Sequence, residues 1–266
     1  MRPESTLKPM FTEVRTALAF LTLLSVGPKE ISSLSLVRSA AFFPLAGWVI
    51  GLMLISLTLL LLAAGLDALP VAVLLVGLES WLTRGLHLDG VADLLDGSGG
   101  SFDRSRRLAI MKDSAIGAFG VVGLVVTLGL KIAALSALLG HFSLEAGAPF
   151  IKLILLLISV PAVSRWSMVT LAWRSRYPRE AGTGHVFVGQ VSGREIVIGF
   201  FLLIPFFFLG WPCCVIIAVC QLPALWLRFH AHRLFGGVTG DVLGASCEFS
   251  EGLGWLAASS VVSLLY

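Results

Sequence analysis

Long apolar runs with almost no charge limit what this chain can fold into more than any other feature. Residues 39–64, 115–139, 149–173 and 212–229 are near-continuous hydrophobic stretches, broken only by Lys131, Lys152, Arg165 and Arg228. Stretches of about 20 apolar residues match the hydrocarbon thickness of a bilayer. Inside lipid every backbone N–H and C=O must find a partner within the protein, which favours helices. The composition agrees. The chain is 57% hydrophobic and 13% charged, with mean hydropathy +0.93, whereas a soluble domain carries about 25% charged residues. The expectation is an all-α, polytopic integral membrane bundle. It forms one domain over residues 1–266, with room for roughly six to eight spans of about 20 residues each.

The remaining apolar runs are shorter. Residues 16–26, preceded by Glu13 and Arg15, read as a span, a half-span or an interfacial helix. The run 70–82 leads toward Arg84 and is expected to stay helical through it. Runs 196–210 and 212–229, split by Gly210-Trp211-Pro212, read as a helical hairpin, and 253–266 as a short last span. Residues 1–10 read as a loose polar start, 140–149 as a loop, and 174–195 and 230–250 as polar loops. Glu4, Glu13 and the lack of a small-residue cleavage site argue against a cleavable leader. Cys213, Cys214, Cys220 and Cys247 have no zinc-site spacing and read as small buried hydrophobes.

The loops sort by charge. Thirteen of the nineteen Lys and Arg residues fall in four segments, 29–38, 84–112, 174–194 and 228–233, while the turns at 65–70, 140–149 and 210–212 hold none. Alternating spans put those four segments on one face, and the bias of basic loops toward the cytoplasm makes that face cytoplasmic.

Residues 84–120 form a charged island between oily runs, with five acids and five bases. Asp89, Asp93 and Asp96 are spaced i, i+4, i+7 and share one face of a helix. Like charges there repel, so a compensating cation is expected, and hard oxygen ligands select Mg²⁺, Mn²⁺ or Ca²⁺. Asp113 is a further candidate ligand, with a helix-capping role as its rival. His87 is a candidate base or phosphate donor, or a plain interfacial histidine. Gly97, Gly99 and Gly100 are expected to break the helix after Asp96 and could offer N–H groups to phosphate. Arg106, Arg107 and Lys112 suit a diphosphate clamp, or contact with anionic lipid. Arg165, inside a span, needs an inner acid or a ligand phosphate as its partner. Gly182-Thr183-Gly184-His185 and the turn Gly236–Asp241, with Thr239 and Asp241, read as polar clamps or as membrane-side turns.

These residues resemble a known family. Leu86-His87-Leu88-Asp89-Gly90 with Ala92-Asp93 and Asp96-Gly97, followed by Ile110–Ser114, Ile116-Gly117 and Phe119-Gly120, is similar to the signature of the cobalamin synthase family, also called adenosylcobinamide-GDP ribazoletransferases. Gly236–Asp241 with Gly244-Ala245, Phe43–Gly47 and Gly182–Gly184 fit it too. Arg84 stands where many members have glycine. The resemblance implies a Mg²⁺-dependent enzyme of bacteria or archaea, set in the bacterial inner membrane. It would join adenosylcobinamide-GDP to α-ribazole or its 5′-phosphate and release GMP. On the residue reading above, the expected catalytic residues are Asp89, Asp93 and His87, the expected metal ligands Asp89, Asp93, Asp96 and Asp113, and the expected phosphate or substrate contacts Arg106, Arg107, Lys112, Arg165, Thr239 and Asp241. The expected partners are these substrates and the bilayer, with no nucleic acid; oligomeric state is left open. Two rivals remain at this stage. One is a CDP-alcohol phosphotransferase, whose Asp-Gly-x-x-Ala-Arg pattern is matched only in part. The other is a cation-coupled transporter with acids near the midplane.

Overall fold

The computed structural model describes residues 7–27, 32–141 and 147–265. Residues 1–6, residues 28–31 with Lys29 of the first basic segment, residues 142–146 of the expected 140–149 loop and residue 266 lie outside them. The described residues fold into helices joined by short turns, with no strand among them, in line with the all-α reading. In chain order the helices are α1 (Leu7–Leu21), α2 (Ser33–Ser39), α3 (Phe43–Ala63), α4 (Ala68–Leu82), α5 (Leu86–Gly99), α6 (Arg104–Ile110), α7 (Ala118–Gly140), α8 (Gly147–Ala172), α9 (Gly193–Phe201), α10 (Trp211–Phe235) and α11 (Gly240–Leu265).

Four of these are long and apolar enough to cross a membrane: α2–α3 as one run over Ser33–Ala63, then α7, α8 and α10. A fifth is reached only if α4 and α5 are counted together, and these are bent by 90°. The number is below the six to eight expected, for local reasons. At 15 residues α1 is too short, and the 196–210 run forms the nine-residue α9 and a 3-10 turn over Ile204–Leu209 instead of the first arm of a hairpin. The last apolar run is no separate span either; it is the second half of α11.

Three further boundaries differ from expectation. Helix does not continue through Arg84: Arg84 and Gly85 both take positive φ (57° and 66°) and turn the chain into α5. The α5 helix runs through Gly97 and ends at Gly99, so these glycines do not break it after Asp96; a side chain at Gly97 would meet Met111, and one at Gly99 would meet Phe119. The 230–250 segment is mostly helix. It comprises the end of α10 and the first turns of α11, joined by a tight turn whose Gly236 has φ +76°. Here the buried face of Val242, Ala245 and Cys247 outweighs the polar composition, because the acids of α11 find buried partners.

Packing pairs α3 with α8, α4 with α7, and α11 with α5, α7, α8 and α10. One apolar cluster, with Ile50, Leu75, Leu135, Leu157 and Trp255, fills the spans. A second, with Phe43, Val91, Met168, Phe235 and Val242, lies beneath the polar turns. Those turns converge: Val238 N–H donates to the Arg176 carbonyl (2.8 Å), Arg176 N–H to His232 Nε2 (3.2 Å), and the Arg104 guanidinium fills the space beside Gly236. Three of the four basic segments thus meet at one end of the bundle.

Candidate active site

The site is built where α5 lies against the N-terminus of α11. A β-carbon at Gly90 would stand 2.5 Å from the Asp241 carbonyl oxygen, and one at Gly244 would press on the backbone of His87. The two glycines let the helices touch along their backbones, as small residues do at helix crossings. This contact brings Asp89 and Asp93 of α5 toward Asp241 of α11. Asp89 is exposed and Asp93 half-buried, and Asp93 feels the charges of Asp241, Asp89 and Asp96 together with that of Arg179.

Asp241 is fixed by two groups. The Arg179 guanidinium lies 3.1 Å from its Oδ2, and the Thr239 hydroxyl donates to the same oxygen at 3.1 Å. Buried Thr239 also accepts the Val242 N–H (3.3 Å), so it holds the first turn of α11 as well as its acid. Opposite, Gly184 approaches Gly240 so closely that no side chain fits between them. His87, Asp89, Gly184, Gly240 and Asp241 share a small cleft. His87 is 1% exposed, and both of its ring nitrogens lack a hydrogen-bond partner among the described residues. An orphaned buried ring of this kind is costly without a ligand or a functional role.

The other expected site residues lie elsewhere. Asp96 is buried at the far end of the same helical stripe. Its two carboxylate oxygens accept the N–H groups of Gly117 (2.7 Å) and Gly120 (2.9 Å), so it caps α7 from a neighbouring helix. Asp113 is exposed on the α6–α7 connection and accepts the Ala115 N–H (3.0 Å). Arg107 is buried and donates to the Ser98 carbonyl (2.8 Å), tying α6 to α5, while Arg106 and Lys112 are exposed. Arg165 is fully buried within the bundle and pairs with Glu79 and Glu251.

Arg165 thus finds the inner acid expected for it, within a group whose other members sequence reasoning missed. Lys131 Nζ lies 3.0, 2.9 and 2.6 Å from Glu79, Glu248 and Glu251, and Arg165 binds Glu79 and Glu251 from the other side. Glu248 and Glu251, i and i+3 on an otherwise apolar stretch, and the lone Glu79 in a hydrophobic run were the available signals. Arg179 was missed too, as one of several basic residues in the 174–195 loop.

No three His, Cys, Asp or Glu side chains form an all-protein metal cage among the described residues. That donor set still suits Mg²⁺, which is usually bound by one or two carboxylates, with substrate phosphates and water completing its octahedron. Asp89 and Asp241 supply two hard carboxylates of the right kind at one cleft, with Asp93 beside Asp89 on the same helical face.

The family model described as cobalamin-5-phosphate synthase matches residues 13–259. Curated relatives named adenosylcobinamide-GDP ribazoletransferase are similar over most of the chain. One from Syntrophobacter fumaroxidans is 39% identical over 250 residues, covering 91% of this chain and 96% of its own. One from Geotalea daltonii is 38% identical over 216 residues, with 80% and 83% covered, and one from Acinetobacter baumannii 35% over 255 residues, with 94% and 97% covered. No solved structure matches.

Proposed function

The chain belongs to the cobalamin-5-phosphate synthase family and is a transferase of cobalamin biosynthesis, and from that premise we propose that it joins adenosylcobinamide-GDP to α-ribazole or its 5′-phosphate at the cytoplasmic face of the inner membrane. A ribose hydroxyl of the ribazole attacks the phosphorus bonded to the corrinoid's aminopropanol arm. A new P–O bond forms, the diphosphate bridge breaks, and GMP leaves with the bond's electron pair. The products are adenosylcobalamin, or its phosphate, and GMP.

The observation that carries this reading is the meeting of Asp89 with Asp241 in a cleft that also holds an unpartnered histidine, with Asp93 near enough on α5 to feel both charges. Asp89, Asp93 and Asp241 would hold the Mg²⁺. When bound, the ion offsets the diphosphate charge and the charge growing on the leaving phosphate. Arg179 and Thr239 keep the Asp241 carboxylate turned into the site. His87, with both ring nitrogens unpartnered at the cleft wall, or one of the aspartates beside it accepts the hydroxyl proton.

The transporter reading is disfavoured because each of the deep acids Glu79, Glu248 and Glu251 is already ion-paired with Lys131 or Arg165. The test is purified protein with adenosylcobinamide-GDP, α-ribazole and Mg²⁺, with GMP release followed with and without chelator. GMP release that the chelator abolishes supports the reading. CMP release from a CDP-alcohol, or ion flux without nucleotide turnover, would sink it.

A further inference from the structure

A second, larger cleft opens beside the acids. It lies between α1, α5 and α7, holds about 820 Å³, and is walled mainly by Ala19, Phe20, Leu88, Ala92, Leu124 and Leu128. It meets the small polar cleft at Phe20, Leu86 and Asp89, which line both. Its mouth is braced: the Arg84 guanidinium donates to the carbonyls of Ala19 (2.9 Å) and Thr22 (3.1 Å), fastening the last turn of α1 to the bend between α4 and α5. That bracing keeps the α1 wall in place beside Asp89.

In the reaction proposed above, on which this inference rests, three bodies surround one phosphorus atom. GMP and the ribazole are of nucleoside size and present sugars and phosphates that need hydrogen bonds. The corrinoid is much the largest of the three, a broad macrocycle edged by methyl groups and amide arms, and needs the most room. Of the two clefts that reach Asp89, the larger is the roomier, with mainly apolar walls and a volume near the top of the range of about 300–1,000 Å³ usual for ligand pockets, whereas the smaller holds only about 60 Å³. We propose that the α1–α5–α7 cleft is the corrinoid subsite: the macrocycle lies against Phe20, Leu124 and Leu128 and delivers its diphosphate arm to Asp89, leaving the cleft beside Gly184 and Asp241 for the ribazole.

The test is a separate KM for each substrate, the other saturating, in Leu124→Trp and Ile116→Trp. Ile116 lines the same cleft and is 55% exposed, so its enlargement leaves the fold intact. Each variant is expected to raise KM for adenosylcobinamide-GDP about tenfold while moving KM for α-ribazole by less than about twofold, the scale on which pocket shape discriminates ligands. A rise in the ribazole KM alone would overturn the assignment. So would two unchanged constants, which would mean that the cleft holds only lipid. If the wild-type protein releases no GMP, the functional reading fails separately. Equilibrium binding of adenosylcobinamide then decides the subsite: weaker binding in both variants upholds it, and equal binding removes it.

Discussion

The aspartates of α5 lie on one helical stripe but have different tasks. Asp89 and Asp93 face Asp241 across the α5–α11 contact, whereas Asp96 spends both oxygens on α7 N–H groups. Their substitutions should therefore separate. Asp89→Asn, Asp93→Asn and Asp241→Asn are expected to slow GMP release by about 100-fold or more, the scale of losing one charge-stabilising group at a phosphoryl site, with unchanged thermal unfolding in detergent. Asp96→Ala should instead cost about 0.5–2 kcal/mol of stability, as cap removal does, visible as a lower melting temperature. Near-normal turnover in the first three variants, or an unmoved melting temperature in the fourth, would contradict this division. The i, i+4, i+7 spacing was legible in the sequence. Which carboxylate faces the cleft and which meets a helix end was not, because that depends on the element packed opposite each.

At the scale of elements, the site exists because α5 and α11 approach backbone to backbone. Gly90→Val cannot be absorbed by a rotamer change, since the obstacle is the Asp241 carbonyl. It should push the N-terminus of α11 away from Asp89 and Asp93. We expect activity to fall by at least about tenfold, because small misplacements of reacting groups are costly, with far-UV circular dichroism unchanged. Full activity in Gly90→Val would show that the contact does not position the acids. The glycines of the LDG and GGVTGD stretches could be read as turn formers or phosphate loops. Their role as contact points between helices required knowing that residues about 150 positions apart lie side by side.

For the whole molecule, the buried group of Glu79, Lys131, Arg165, Glu248 and Glu251 ties four helices together, α4, α7, α8 and α11. Three acids against two bases leave little tolerance for losing a base. Lys131→Met should destabilise the bundle by about 3–5 kcal/mol, the cost of breaking a buried ion pair from one side. Adding Glu248→Gln should recover a good part of that loss, read by unfolding of each variant in detergent. If the single and double variants unfold alike, the network is not the tie we describe.

Hydrophobicity and helical phase act locally, so the sequence by itself determined the membrane class, the all-α character, the main spans and the acidic stripe of α5. Tertiary structure decided the rest: that α4 bends by 90° into α5, that Arg165 meets glutamates, that Asp241 joins the α5 acids, and that a wide apolar cleft opens beside them. The physical reason is that a polar group in an apolar bundle must find its partner wherever the fold places one, and those partners stand far away along the chain.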